Sequence, residues 1–124
     1  MPISTRVSLI RESPGTFELA TVELDDPRQG ELTVKLVATG LCHSDDHIPK
    51  NDLPPAKLPL VGGHEGAGVV TAVGPNTPGF EVGDHVVFSF LAACGRCEFC
   101  ARGMSNLCDL GSTIMSGGRP DEPG

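Results

Sequence analysis

The stretch ELTVKLVATG, residues 31–40, alternates in side-chain character and sets the expected fold. One face would carry Leu32, Val34, Leu36 and Ala38, and the other Thr33, Lys35, Val37 and Thr39. A period of two residues is typical of a strand with one buried face, and a glycine at position 40 is suited to end it. The sequence therefore predicts a half-buried strand over 31–40.

Neighbouring stretches extend this prediction to most of the chain. Weaker alternation at 6–10 and 17–24, closed by the turn-rich DDPRQG, predicts an antiparallel meander with the strand at 31–40. GAGVVTAVG (66–74) and GDHVVFSF (83–90) place β-branched residues between glycines and also predict strands. The expected fold class is mainly β, a barrel or sandwich.

Two segments depart from this strand pattern. SDDH predicts the start of one short helix, with Ser44 as its N-cap. KNDLPPAKLPLVGG (50–63) is broken by three prolines and predicts a loop, and the last eight or so residues also predict a loop. A single domain is expected from the 124 residues.

Charge and composition exclude several partners. The formal net charge of −7 opposes binding to nucleic acid, which depends on basic side chains that neutralise phosphates. Neither an export signal nor an apolar run of membrane-spanning length is found, so we expect a cytoplasmic protein without a membrane partner.

The stretch CGRCEFCARGMSNLC holds a closely spaced cysteine cluster. Cys94, Cys97, Cys100 and Cys108 are separated by two, two and seven residues. Such spacing lets four thiolates converge on one tetrahedral ion, and glycines at 95 and 103 permit tight turns around it. A closed four-cysteine site leaves no open coordination position, so its zinc would be structural. Disulfides, inert thiols and an iron–sulfur cluster are the alternatives.

A fifth cysteine, Cys42, lies in GLCHSDDH (40–47), apart from that cluster. Polar neighbours surround it, and GGHEGAGVV (62–70) offers His64 on a glycine-lined turn before a strand. A thiolate and an imidazole suit zinc, but a catalytic site usually has three protein ligands, so a buried structural thiol remains the alternative. The glycines of GAG are no dinucleotide fingerprint, because Val-Val-Thr follows where a helix should open.

These motifs, taken together, resemble the N-terminal GroES-like domain of zinc-dependent alcohol dehydrogenases of the medium-chain dehydrogenase/reductase family. GLCHSDDH resembles the family's first zinc-ligand turn, GHEGAG its GHE motif, VGDHVV its GD-x-V strand, and the cysteine run its structural zinc lobe. All four occur in the family's order between about residues 5 and 115. The resemblance implies a partly open GroES-like β-barrel with short helices, a zinc lobe at about 92–111, and a Rossmann coenzyme domain that these 124 residues do not include.

The resemblance also implies roles for individual residues. The catalytic zinc would be held by Cys42 and His64, with Glu65 as a transient ligand and Asp45 orienting His64. Ser44 would accept the substrate proton and pass it to His47 through the coenzyme ribose, and His43 would face the coenzyme pyrophosphate. The expected roles further include Phe90 in the substrate pocket, although an ordinary core phenylalanine is an equal alternative. His85 is given no chemistry and is expected to face solvent.

The implied reaction is oxidation of an alcohol to an aldehyde or ketone, with zinc as Lewis acid and NAD(P) as hydride acceptor. The parent protein would be a homo-oligomer, and some similar bacterial enzymes hold their nicotinamide tightly. We expect the 124 residues alone to be inactive, because the third zinc ligand and the coenzyme loop are missing from them. A non-catalytic GroES-like zinc-binding module, serving structure or interaction, is the alternative function.

Overall fold

The computed structural model describes residues 2–52 and 57–111, and within them the chain forms two three-stranded antiparallel sheets. The strands are β1 Ile3–Ile10, β2 Glu18–Leu24, β3 Leu32–Thr39, β4 Leu60–Val61, β5 Gly66–Val73 and β6 His85–Val87. The first sheet has the order β2-β1-β4, and the second has the order β3-β5-β6. The prediction of a mainly β fold is confirmed.

The first two strands form the predicted antiparallel hairpin, with a register that runs from the pair Ile3 and Leu24 to the pair Leu9 and Glu18. The meander does not continue into β3, so that part of the prediction is wrong. β3 leaves the hairpin and pairs with β5, starting at Leu32 opposite Val73. Alternation in the sequence could not reveal this, because it fixes the faces of a strand but not its neighbour.

Burial along β3 differs from the expected pattern. Residues at its start are half-buried, but Leu36 and Val37 are both exposed, at 52% and 73%. The predicted single buried face is therefore wrong for the second half of the strand. Residues 35–39 are exposed on both faces of the strand. Two register shifts, one between Thr33 and Val34 and one between Leu36 and Ala38, also interrupt the period of two.

Fully buried apolar side chains are few among the described residues, and they occur in both sheets and in the cysteine-rich segment. Among the described residues, the buried apolar side chains are those of Leu9, Ile10, Val70 and Cys108. Leu9 and Ile10 end β1 where it meets β4, and Val70 lies in the middle of β5. The strands that carry the core therefore also lead into the candidate site.

A short helical segment follows β3, as predicted. A 3₁₀ turn at His43–Asp46 continues directly into the helix α1, His47–Lys50. The predicted N-cap is wrong, because Cys42 occupies that position and Ser44 lies inside the turn. The backbone N–H of Cys42 donates to Oδ2 of Asp45 at 3.4 Å, and the N–H of Asp45 donates to the Cys42 carbonyl at 3.0 Å.

The proline-broken stretch 50–63 is not entirely loop. Its end forms β4, whose residues Leu60 and Val61 pair with the end of β1. This two-residue strand follows Pro59, so the prolines, which cannot donate to a ladder, stay outside it. Residues 53–56 of the stretch lie outside the described part of the chain.

The last predicted strand is shorter than 83–90, because β6 spans only His85–Val87. His85 is exposed, as expected. Beyond β6, the described chain contains two short helical elements, α2 at Glu98–Ala101 and a 3₁₀ turn at Ser105–Leu107. The loop predicted for the final residues lies outside the described part. No helix among the described residues has the length and apolarity needed to cross a membrane.

Candidate functional site

The two sequence motifs that offered a thiol and an imidazole meet at one end of the second sheet. Ligand atoms of Cys42, His64 and Glu65 all lie within 4.8 Å of one another. The sheet explains why, because Thr39 at the end of β3 pairs with Gly66 at the start of β5. The segments that follow β3 and precede β5 therefore leave the sheet side by side.

Two hydrogen bonds hold these segments together just outside the ladder. The hydroxyl of Thr39 donates to the carbonyl of Glu65 at 2.8 Å, and the N–H of Gly40 donates to the same carbonyl at 3.4 Å. The side chain of Glu65 also crosses Gly40 closely, since a Cβ built there would lie 2.0 Å from Glu65 Oε2. A glycine at position 40 thus makes room for the Glu65 carboxylate beside the thiol.

Asp45 connects the helical turn to the imidazole. Its Oδ1 lies 3.2 Å from Nδ1 of His64, and both side chains are half-buried. An Nδ1–H donated to this carboxylate fixes the tautomer and leaves Nε2 with its lone pair for a metal. The structure therefore brings the four residues 42, 45, 64 and 65 into one cluster.

The protonation states in this cluster favour charge separation. Ser44 donates its hydroxyl to Cys42 Sγ at 3.1 Å, and this bond, with the Ser44 backbone N–H, lowers the pKa of the Cys42 thiol. Burial lowers the pKa of His64, but the neighbouring Cys42 and Asp45 outweigh it, so that the pKa of His64 is raised. In the metal-free chain this favours a thiolate beside a protonated imidazole, and binding of a divalent metal would release the Nε2 proton of His64.

His43 is exposed and His47 is half-buried on the same short helical segment. Their rings meet edge to face with centroids 5.5 Å apart, and Nδ1 of His47 lies 3.4 Å from Oδ2 of Asp52. The pairing of Asp52 with His47 was missed in the sequence, where only its spacing of five residues from His47 could have suggested it. The hydroxyl of Ser44 is directed to Cys42, so a proton path from Ser44 to His47 would need a bridging group.

Phe90 lies beyond the end of β6 and is 48% exposed, which argues against an ordinary core phenylalanine. Its ring centroid is 4.8 Å from that of His64. A cleft of about 390 Å³ is lined by Ser89, Phe90, Leu91, Ala93, Ser105 and Asn106. Phe90 thus contacts the imidazole and also lines this cleft.

The four clustered cysteines form a second group. The sulfur atoms of Cys94, Cys97, Cys100 and Cys108 lie within 4.8 Å of one another. Backbone N–H groups point at them: Cys97 N–H donates to Cys94 Sγ at 3.2 Å, Cys94 N–H to Cys108 Sγ at 3.3 Å, and Cys100 N–H to Cys97 Sγ at 3.4 Å. Such bonds stabilise thiolates, so the group suits a thiophilic metal ion.

The thiols of this group differ strongly in acidity. The backbone N–H of Cys94, followed by that of Gly111, lowers the pKa of Cys108 to about 6. The backbone N–H of Gly95 lowers the pKa of Cys100, but burial and the neighbouring sulfurs outweigh it and raise the pKa to about 11. One thiolate is therefore present near neutral pH before any metal binds.

Two glycines shape the segment, as predicted. Gly95 and Gly103 have φ values of +76° and +77°, a region that side-chain-bearing residues adopt at a cost. Gly95 turns the chain between the first two cysteines, and Gly103 turns it between α2 and the following 3₁₀ turn. Both turns bring the chain back toward the sulfur cluster.

Comparison with known proteins identifies the fold. A family described as "Alcohol dehydrogenase GroES-like domain" matches residues 28–121. The chain belongs to this family. The expected GroES-like architecture is thereby confirmed, and the two ligand clusters described above lie within the matched residues.

Similar proteins are alcohol dehydrogenases. The chain is 51% identical to an NDMA-dependent alcohol dehydrogenase of Amycolatopsis methanolica, over 96% of this chain and 32% of that protein. It is 44% identical to alcohol dehydrogenase B of Mycobacterium tuberculosis, over 93% of this chain and 31% of that protein. The chain therefore spans about a third of the length of these relatives.

Solved structures of alcohol dehydrogenases are also similar to this chain. Benzyl alcohol dehydrogenase from Acinetobacter calcoaceticus is similar with a TM-score of 0.87 and 34% identity, over 98% of this chain and 33% of that one. An alcohol dehydrogenase zinc-binding domain protein from Burkholderia ambifaria has the same TM-score at 38% identity, over 98% of this chain and 32% of that one.

Proposed function

We propose that the chain is the N-terminal catalytic-domain part of a zinc-dependent alcohol dehydrogenase. The parent would oxidise alcohols to aldehydes or ketones with NAD(P). The observation that carries this proposal is the convergence of Cys42, His64 and Glu65 within 4.8 Å, at the sheet end of a chain whose relatives are alcohol dehydrogenases. Family membership alone would not assign these residues a role.

The donor set supports zinc at this cluster. Thiolate, imidazole and carboxylate are its usual ligands, and a catalytic site keeps a position for water or substrate. When bound there, zinc supplies the Lewis acidity that lowers the pKa of an alcohol, and a nicotinamide supplies the hydride acceptor. Cys42 and His64 would be the permanent ligands of this chain, and Glu65 the one that can exchange with water.

The residues around the cluster would bind, orient and transfer protons. Asp45 would fix the His64 ring, which the 3.2 Å contact to Nδ1 supports. Ser44 would accept the proton of the substrate hydroxyl, since its Oγ lies 3.1 Å from Cys42 Sγ and hence beside the metal position. From there the proton would reach His47 through the coenzyme ribose, and His43 would face the coenzyme pyrophosphate.

The substrate would lie against Phe90. Its ring packs on His64 at 4.8 Å and can exclude water from one side of the metal position. Because the similar Acinetobacter protein is a benzyl alcohol dehydrogenase, an aromatic primary alcohol is a reasonable first probe. The choice of alcohol would then depend on the size of the space beside this ring.

The second cluster would hold structural zinc. Four thiolates fill a tetrahedral coordination shell, so no position remains for substrate. The segment at about 92–111 owes little to apolar burial, since Cys108 is its one fully buried apolar residue in the described chain. Metal binding would therefore supply much of its folding free energy.

The parent protein is proposed to be a cytoplasmic homo-oligomer with a Rossmann coenzyme domain outside these residues. Five cysteines kept as thiols agree with a reducing compartment. Because the 124 residues contain no dinucleotide fingerprint, we expect them to bind metal and alcohol but not to turn over alcohol by themselves.

Metal stoichiometry of the purified chain tests the proposal. Elemental analysis should give two zinc ions per chain when zinc is in slight excess, one of them lost in Cys42→Ser and the other lost in Cys97→Ser. Cobalt in the Cys42 position should then change its visible spectrum when benzyl alcohol is added. A single zinc, unaffected by Cys42→Ser, together with stable binding of a protein partner independent of nicotinamide, would favour a non-catalytic zinc-binding module instead.

A further inference from the structure

The short helix α1 is attached at its C-terminal end to the loop between β1 and β2. The hydroxyl of Ser13 donates to the carbonyl of Ile48 at 2.6 Å, and Oδ1 of Asn51 is a second acceptor at 3.1 Å from the same hydroxyl. A hydroxyl has one proton, so the shorter bond to Ile48 is the main one and Asn51 is the weaker acceptor. Ser13 is thus bonded to residues that lie 35 and 38 positions further along the sequence.

A backbone bond reinforces this attachment. The N–H of Gly15 donates to the carbonyl of Pro49 at 3.0 Å. The loop can approach the helix in this way because it is tightly folded on itself: a Cβ built on Gly15 would lie 2.4 Å from the carbonyl oxygen of Glu12. The segment 12–15 is therefore a compact loop that meets the end of α1 at two backbone carbonyls, those of Ile48 and Pro49, and at the side chain of Asn51.

Among the described residues, the other side-chain contacts at this end of α1 are with near neighbours in sequence, between Lys50 and Asp46 and between His47 and Asp52. The helix has four residues, none of them buried, and a helix of that length is not stable alone in water. It ends at Asn51, whose φ of +59° places it in the left-handed region. The attachments to the 12–15 loop therefore define where the C-terminal end of α1 lies.

The other end of the helical segment is fixed by the candidate metal cluster. Asp45 contacts His64 and caps Cys42, so the 3₁₀ turn is fixed at its start. His47 lies between this fixed point and the Ser13 contact. The position of the His47 ring relative to that of His43 depends on both the Asp45 contact and the Ser13 contact. If only the 3₁₀ turn were held, the last turn of α1 could move.

We infer that Ser13 is a positioning residue for the segment that carries His43 and His47. The inference rests on the proposed function, in which these two histidines face the coenzyme and release the proton. Ser13 does not touch the reacting atoms and acts through Ile48 and Asn51. Loss of its hydroxyl would leave the sheet and the cysteine cluster intact and would loosen only the last turn of α1.

The test compares Ser13→Ala with Ser13→Thr and with the control Ser4→Ala, which removes a hydroxyl from an exposed position on β1. All are studied as the zinc-loaded 124-residue chain by NMR. In Ser13→Ala, amide exchange over residues 47–51 should be at least about tenfold faster, while exchange at Val70 is unchanged. Contacts between the ring protons of His43 and His47 should weaken, and Ser13→Thr should restore both signals.

Three outcomes would overturn the inference. Exchange and ring contacts in Ser13→Ala could match those of Ser4→Ala, exchange could rise uniformly over the chain, or Ser13→Thr could fail to restore the wild-type ring contacts. Should Ser13→Ala not fold, Asn51→Gly keeps the left-handed backbone, removes one partner of Ser13, and should give the same local change to a smaller degree. These readouts need neither coenzyme nor turnover, so they fail or succeed independently of the metal stoichiometry that tests the proposed function.

Discussion

The carboxylate of Asp45 joins two parts of the candidate metal cluster: Oδ1 lies 3.2 Å from Nδ1 of His64, and Oδ2 accepts the backbone N–H of Cys42 at 3.4 Å. One side chain therefore positions both the imidazole and the start of the turn that carries the thiol. Since it reaches the ligands from behind, it can support metal binding without occupying a coordination position.

Asp45→Asn should weaken metal binding at the Cys42 position by about 10- to 100-fold, which is the usual cost of losing such a partner. The amide is uncharged and can present its N–H to Nδ1, which disfavours the tautomer that binds metal through Nε2. The measurement is a cobalt titration, followed by the visible absorption of the thiolate complex, with the four-cysteine cluster already loaded with zinc.

The matched control for that variant is Asp46→Asn. Asp46 is next in sequence but pairs with Lys50, whose contact lowers the pKa of Asp46, and it does not contact the cluster. Cobalt affinity should be unchanged in this variant. Equal losses in the two variants would show that the charge of the turn matters, and not the orientation of His64.

Removal of one sulfur from the cysteine cluster should unfold that segment selectively. In Cys97→Ser, which loses one of four ligands, zinc bound at this cluster should fall to near zero, and residues 94–108 should lose their dispersed amide signals, because metal binding supplies folding free energy here. Cys42→Ser serves as the control, since it removes a thiol without touching this cluster. Retention of the fold in metal-free Cys97→Ser would contradict the structural role.

Proton release on zinc binding should report the unequal acidity of the thiols. Because the pKa of Cys108 is lowered from about 9 to about 6, its thiolate is already present at pH 7 in the metal-free chain. Fewer than four protons should then be released per zinc at pH 7, and the number should rise toward four as the pH falls below about 6. Calorimetry in buffers of different ionisation enthalpy, performed on Cys42→Ser, measures this number.

The lowered pKa of Cys108 also predicts how the stability of this segment changes with pH. A thiol whose pKa is lowered on folding contributes stability that is fully present above its ordinary pKa of about 9 and is lost as the pH falls through about 6. Whatever order the segment around Cys108 keeps without metal should thus be lost on acidification before the sheets unfold. Proton release that stays at four over the whole range would contradict the lowered pKa.

The metal ligands were easier to predict from the sequence than the residues and strand pairing that position them. Cysteine spacing and the histidine after a glycine pair are local signals, because each motif carries its own donors. The pairing of β3 with β5, which brings Cys42 to His64, depends on contacts far apart in sequence and was not predicted. Only a zinc shared by Cys42 and His64 was expected, and that came from the family resemblance. Ser13 and Asp52 gave no signal, since a lone serine or aspartate in a loop has many ordinary explanations.

Burial was the least predictable property. Alternation over 31–40 indicated one buried face, but Leu36 is exposed, and the period is interrupted by register shifts that depend on the partner strand. The N-cap was misassigned for a different reason: Ser44 is a good capping residue in general, but here its hydroxyl bonds to Cys42 Sγ, two residues before it. The first error involves a tertiary pairing, and the second a local hydrogen bond that competes with capping.

The pairing of β3 with β5, which brings the two ligand segments together, should be sensitive to substitution of one glycine, Gly68. Gly68 in β5 lies against β3, where a Cβ would come 2.2 Å from the carbonyl oxygen of Lys35 and 2.8 Å from the side chain of Val34. Because the first of these atoms belongs to the backbone, the strand must shift, and Gly68→Ala should lower the free energy of unfolding by roughly 2–4 kcal/mol. Urea unfolding of the zinc-loaded chain measures it.

Metal binding at Cys42 and His64 should weaken when the pairing of β3 with β5 is disturbed. A shifted β5 moves His64 relative to Cys42, so cobalt affinity at this pair should fall in Gly68→Ala even where the chain remains folded. The control is Gly79→Ala, at a φ of +93° with nothing within 4 Å of the new Cβ. That variant adds backbone strain of roughly 1 kcal/mol but no clash, and cobalt affinity should be unchanged. Equal cobalt affinity in both variants would mean that the ligands are held by their own turns, and not by the register of β3 and β5.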